Sequence, residues 1–418
     1  MPITKFVVFA AFACSLSAAE KLSVPQLLEL SRKPDNAAFA ESLRATLGDA
    51  AIRKGTAVAG QGADFIWAVE SDQKPEIFID DQPAVNMQRA GKSSLWFHTG
   101  KLRTGAAHGF FYKVNGTTMG GSHDVAAYGP ESYPMPGVPQ GKLSEKMVHT
   151  GKIYEGMKSD YWVYVPAQYD GTQPAALMVW QDGRGLTDRN GNTHAQTVFD
   201  NLTAEKKIPV MIHVLIDPGM IGEKRMRSIE YDTVSDKYPR FLRDEILPEV
   251  EAKYKIRKDG YSRAIAGNSS GGICAFNAAW WQPDQFSRVL SRIGSFTALQ
   301  LNHPAEFDGG NTYPFRIRKE DKRNIRAWLQ DGAEDLENPF GSWPLQNLEM
   351  ANSLKFRDYD FHLSFGTGTH NGAHGSAELP EEMTWLWRDY DTAKTEQIYQ
   401  MDPAEKTKPF YRVKSLNR

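Results

Sequence analysis

A chain of 418 residues exceeds what a single hydrophobic core usually organises, so two domains are expected. Its 49 Lys and Arg against 51 Asp and Glu leave a net charge of −2, with no basic excess or basic run. That balance excludes nucleic acid and anionic membrane surfaces as partners. Residues 1–19 read as a secretory signal: Lys5, an apolar run from Phe6 to Ala13, then the small residues Ser17, Ala18 and Ala19, with cleavage before Glu20. The apolar run is too short to cross a bilayer and no other stretch qualifies, so no membrane insertion is expected. Of the two cysteines, Cys14 falls in the signal and only Cys274 survives processing, so no intramolecular disulfide can form. A periplasmic or secreted location is the expectation.

In residues 20–54 the apolar positions Val24, Leu27, Leu28, Leu30, Phe39, Leu43, Leu47 and Ile52 recur at helical spacing, broken at Pro34. This is a helical leader. Residues 55–127 switch to short apolar runs separated by Gly, Pro and Asp turns, which predicts a small β-sandwich. Trp67, Trp96, Phe110 and Tyr112 lie in these runs at alternating positions, which reads as core, with glycan binding as a second reading. Residues 128–141 are dense in proline and glycine and form the linker. In residues 142–393 strands alternate with helices, the pattern of a mostly parallel sheet covered on both faces. Strands are predicted over 161–166, 175–180, 210–216, 324–329 and 360–365, with a strand or loop over 289–296. Helices are predicted over 238–254, despite Pro248, over 343–354 and over 380–391. The polar tail 394–418 is expected to pack loosely at most.

The chemistry concentrates at Gly267, Asn268, Ser269, Ser270 and Gly271, a Gly-x-Ser-x-Gly between an apolar run ending at Ala266 and an alanine-rich stretch from Ile273 to Trp281. Strand, tight turn and helix around a serine make a nucleophile elbow. A serine hydroxyl needs a base, itself oriented by a carboxylate, and this scaffold supplies them in the chain order serine, acid, histidine. Asp335 is the favoured acid because a turn at Asp331 and Gly332 would send the following residues back towards the elbow; Asp331 and Glu334 are the alternatives. His370 is the favoured base, nearest the strand that precedes it, with His374 as the alternative. Glycines at 366, 368, 372 and 375 argue against a helix that would turn this His pair into a zinc site, so no metal and no cofactor are expected. The oxyanion donors are expected from Ser270 and from the 183–184 stretch, with Arg184 named as the second donor.

With these loops in hand, the catalytic part resembles the esterase family of α/β-hydrolases, specifically secreted enterochelin-esterase-like proteins, with feruloyl esterases as relatives. The matching stretches include Trp180 to Gly183, Arg227 to Asp232, Gly267 to Gly272, Asp335 with Leu336, and Gly368 to Asn371. The resemblance implies an α/β-hydrolase sheet with helices on both faces, preceded by an immunoglobulin-like β-sandwich, and a Ser269, Asp335, His370 triad. One departure stands out: Thr369 occupies a position where such relatives commonly carry glycine, and His374 follows closely. Arg227, Glu230 and Tyr231 lie in a segment that faces the cleft in such folds, which nominates them as substrate contacts, the alternative being a salt bridge at a helix start.

The reading is a serine carboxylesterase working through an acyl-enzyme on a small-molecule or glycan ester. The rivals are an acyltransferase on the same triad and a catalytically inactive carbohydrate-binding protein. Neither the identity of the ester nor the oligomeric state is legible in the sequence.

Overall fold

The computed structural model describes residues 21–302 and 309–412. The signal segment with Cys14, residues 303–308 and the end of the tail lie outside the described residues. The chain forms two compact units. One comprises the described residues up to Phe78 together with Pro83–Gly100 and Phe111–Gly120; the other comprises Ile79–Gln82, Lys101–Phe110 and everything described from Gly121 onwards.

In the first unit the leader forms three helices, Val24–Ser31, Ala37–Leu47 and Asp49–Lys54. Their starts are set locally. Ser23 and Gln26 form a capping box, and the Asn36 side chain accepts the Ala38 N–H. Leu27, Phe39, Leu43 and Ile52 then bury against Ala57, Ile66, Ala68, Leu95 and Phe97 of the strands Ala57–Gln61, Asp64–Glu70 and Leu95–Lys101. The helical leader is therefore part of a core. Trp67, Trp96 and Tyr112 of this unit and Phe110 of the other are all buried, so the aromatic stripe is packing.

The second unit is organised by an 11-stranded sheet. Its main strands are β1 (Lys158–Val165), β2 (Ala176–Gln181), β3 (Met211–Ile216), β4 (Arg263–Asn268), β5 (Arg288–Arg292), β6 (Arg326–Gly332) and β7 (Asp360–Gly366). They run in the order β1-β3-β2-β4-β5-β6-β7. Only β1 pairs antiparallel to its neighbour in this series; every other pair is parallel. Side chains alternate between two cores: Leu177 and Val179 of β2 face one, Met178 and Trp180 the other. Burial on both faces is why these strands read as continuous apolar runs.

Three elements differ from the sequence reading. The 238–254 helix exists but is built as Lys237–Phe241, a π-turn over Leu242–Ile246, and Leu247–Glu251. Pro248 has no N–H to give to the preceding turn, and the wider turn absorbs that loss. The helix expected over 380–391 instead spans Ala373–Leu386 and takes in Gly375, His374 and Pro380. Glycine is required there by a close approach, since a Cβ on Gly375 would lie 2.3 Å from Cδ of Arg292. The tail is also packed. Tyr399 is buried, donates its N–H to Asn324 Oδ1 and stacks over the guanidinium groups of Arg288 and Arg326. The linker is likewise pinned within its unit: Asn201 donates to the carbonyls of Glu131 and Tyr133, both at 2.8 Å.

Candidate active site

β4 ends at Asn268, and Ser269 follows at φ 58°, ψ −121°, a conformation an L side chain rarely adopts and that costs about 1–3 kcal/mol. The helix α1 (Ser270–Trp281) begins at once. Such a sharp reversal leaves no room beside it: a Cβ on Gly267 would sit 2.4 Å from the carbonyl of Gly271. The turn is held by the Ser269 N–H donating to Arg292 O at 2.9 Å and by Ser295 N–H donating to Ser269 O at 3.1 Å.

The loops after β6 and β7 meet this apex. The two strands end in register at Gly332 and Gly366, and beyond them Ala333 N–H donates to Gly366 O and Glu334 N–H to Gly368 O, at 2.8 and 3.2 Å. This zipping carries Asp335 and His370 to one place. His370 Nδ1 lies 2.6 Å from Asp335 Oδ1, and His370 Nε2 lies 2.8 Å from Ser269 Oγ. The Trp343 indole meets the imidazole edge-on, with ring centroids 5.6 Å apart.

The neighbouring acids have different surroundings. Asp331 is fully buried in β6, where desolvation and the adjacent Asp335 push its carboxyl well above the usual range. Asp335 is also desolvated, but its bonds to His370, to Asp331 and to the Leu336 N–H outweigh this and hold it below the ordinary carboxylate value. Of the three candidate acids, Asp335 is the one that contacts the imidazole. His374 is placed elsewhere: on its helix, buried, with Nε2 2.8 Å from Glu378 Oε1 and Nδ1 3.2 Å from Gln330 Nε2. Both its nitrogens are engaged away from Ser269, so the alternative base does not meet the serine.

The remaining nominations change. Arg184 donates its backbone N–H to Asp217 Oδ1 at 2.9 Å and its guanidinium to Asp217 and Asp160, which makes it a poor oxyanion donor. Ser270 opens α1, where N–H groups lack intrahelical acceptors. Tyr231 and Glu230 are both buried, so neither faces a substrate. Tyr231 Oη accepts the Asp182 N–H at 3.4 Å, and Glu230 Oε2 accepts the Gly219 N–H at 2.7 Å. Burial raises the Glu230 carboxyl to about 8. Arg227 forks onto Asp182, Nε to Oδ1 at 2.9 Å and Nη2 to Oδ2 at 2.8 Å, so the salt-bridge alternative describes it.

Two contributors were not among the site residues expected from the sequence. Ser295 Oγ lies 3.2 Å from Ser269 Oγ and accepts from Trp343 Nε1 at 3.1 Å. The chain reaches it through Ile293, a β-branched residue held at φ 43°. Asp182, the left-handed residue that seats Arg227, could have been suspected from its Asp-Gly pair. Among the described residues no group of three or more His, Cys, Asp or Glu could hold a metal ion, and no helix is long and apolar enough to cross a membrane.

Comparison with known families matches residues 156–375, just over half of the chain, to the Esterase family. The chain belongs to the Esterase family. It is 26% identical over 227 residues to the iron(III) enterobactin esterase of Dickeya dadantii, covering 54% of this chain and 51% of that one. It is 27% identical over 147 residues to an endo-1,4-beta-xylanase/feruloyl esterase of Xylanibacter ruminicola, covering 35% of this chain and 18% of the other. The matched region thus spans about half of the first relative's length and under a fifth of the second's. Among solved structures, the enterobactin esterase of Shigella flexneri superposes with a TM-score of 0.52 at 16% identity, covering 80% of this chain and 97% of that one. That likeness is one of fold alone, an α/β-hydrolase-like one.

Proposed function

We propose that this protein is a serine carboxylesterase that turns over through an acyl-enzyme. The observation that carries the reading is the continuous relay from Ser269 Oγ to His370 Nε2 at 2.8 Å and from His370 Nδ1 to Asp335 Oδ1 at 2.6 Å, at the rim of one sheet. Ser269 attacks the ester carbonyl while His370 takes its proton. The tetrahedral oxyanion is held by the Ser270 N–H and, with the Arg184 amide committed to Asp217, by Gly183 of the same turn. The alkoxide leaves with the proton returned by His370, and water, deprotonated by the same imidazole, releases the acid. Asp335, ionised and buried, keeps Nδ1 protonated throughout.

The substrate class we infer is a small-molecule or glycan ester of the enterobactin or feruloyl kind, supported by the names of the relatives. The immunoglobulin-like reading of residues 55–127 and a periplasmic or secreted location belong to the same proposal, the first supported by the strands of that region and the second by residues 1–19. Short-chain p-nitrophenyl esters test the reaction. Ser269→Ala should lower kcat by roughly 10⁴ to 10⁶ with thermal unfolding almost unchanged. Ester hydrolysis that survives this change would overturn the reading.

A further inference from the structure

The loop that carries His370 runs from the end of β7 at Gly366 to the helix Ala373–Leu386, and three of its residues, Gly366, Gly368 and Gly372, are glycines. So much glycine gives a loop many conformations of similar energy, yet an imidazole that serves a hydroxyl must be held within a fraction of an ångström. The residue before it is where the loop is tied down. Thr369 donates its backbone N–H to Asp124 Oδ1 at 2.8 Å and its hydroxyl to Asp124 Oδ2 at 2.7 Å. One carboxylate thus fixes the backbone and the side chain of a single residue. Thr369 passes that order onwards: its Oγ1 accepts from Asn371 Nδ2 at 3.1 Å, its carbonyl accepts the Asn371 N–H at 2.7 Å, and Asn371 Oδ1 accepts the Ala373 N–H at 2.8 Å. His370 sits inside this clasp.

Asp124 lies on the strand Thr117–Ala127, in the same compact unit as the loop but upstream of the segment 156–375 that defines the family. A glycine at position 369 could make only the backbone half of the contact, so Thr369 and Asp124 work as a pair in this chain.

We propose that Asp124 is a positioning residue for His370, acting through Thr369. The proposal rests on His370 being the base of the esterase reaction. Asp124 touches neither substrate nor the reacting atoms; it narrows the positions the imidazole samples.

The test uses the full chain with Asp124→Ala and Asp124→Asn. The amide of Asn offers an oxygen to the Thr369 N–H and an NH₂ to the hydroxyl, which can rotate to accept. Asp124→Ala should lower kcat on a p-nitrophenyl ester by about 10- to 100-fold with KM within about twofold, whereas Asp124→Asn should stay within about threefold of wild type. Hydrogen exchange of the peptide covering 366–372 should quicken in Asp124→Ala and not in Asp124→Asn. The pH midpoint of kcat/KM should be the same in Asp124→Asn as in wild type. Wild-type kcat or unchanged exchange in Asp124→Ala overturns the proposal, and so does a shifted midpoint with lost rate in Asp124→Asn, which would mean that Asp124 acts by charge. Should Asp124→Ala not fold, Thr369→Val, which removes only the hydroxyl contact, replaces it, and unchanged kcat and exchange in that variant count against the clasp. The exchange readout needs no turnover, so a wild-type chain that hydrolysed no ester would sink the esterase reading while the clasp would still be decided.

Discussion

Two imidazoles four residues apart, each within 2.8 Å of a carboxylate oxygen, have opposite surroundings. His370 lies in a loop with its side chain 21% exposed, paired with Asp335 on one nitrogen and facing Ser269 on the other. His374 lies on a helix with its side chain 6% exposed, and its two nitrogens meet Glu378 and Gln330. Glu378 is further engaged by the Ser364 hydroxyl. An imidazole next to a carboxylate is therefore not enough to make a base. What distinguishes the first pair is a third member that can react and an imidazole that is partly exposed; the second pair belongs to a buried polar network inside the core.

The comparison is broken most forcefully by removing each ring. His370→Ala should cost roughly 10⁴ or more in kcat with little change in melting temperature, measured by ester hydrolysis and calorimetry. His374→Ala should do the reverse, keeping kcat within about tenfold but destabilising by about 1–3 kcal/mol because Glu378 and Gln330 lose a buried partner.

The two aspartates of the acid loop sharpen the same contrast. Asp335 works as an anion, so Asp335→Asn should lower kcat by roughly 10³ to 10⁴. Burial and the adjacent Asp335 favour the neutral form of Asp331, so Asp331→Asn, which imitates the protonated acid, should change kcat by less than about tenfold.

The smallest effect concerns Glu230, behind the elbow. Its carboxyl is raised from 4.5 to about 8 in the folded chain. Over that interval the unfolded chain gives up the proton while the folded chain keeps it, so the stability this group contributes is complete below about 4.5 and is lost as pH climbs to 8. Glu230→Gln removes that titration and can still accept the Gly219 N–H, so its denaturation midpoint should vary less between pH 5 and pH 8 than that of wild type.

Much of this site was legible because its signals are local. Gly267, Ser269 and Gly271 declare a strained turn whatever surrounds them, and the order serine, acid, histidine fixes which later loops to inspect. The strands were legible because burial on both faces leaves uninterrupted apolar runs. What escaped was settled by distant partners. Nothing near Arg184 announces that Asp217 will take its amide, and nothing near Glu230 or Tyr231 says that they will accept the Gly219 and Asp182 amides. Glycines in the His370 loop argued against a helix at His374, yet Gly375 lies in one, and its missing Cβ answers the close approach of the Arg292 side chain, not a turn. The tail reads as solvent-exposed by composition, but Tyr399 finds two buried guanidinium groups to cover.

The central claim is that Ser269 is a nucleophile activated by His370 and not by His374. Labelling with a fluorophosphonate, followed by peptide mapping of the adduct, addresses it directly, since the probe phosphonylates a serine in proportion to its activation. Wild type and His374→Ala should carry the adduct on Ser269 at comparable rates, and His370→Ala should label at least about a hundredfold more slowly. Label on another residue, or equal loss in the two histidine variants, would contradict the account.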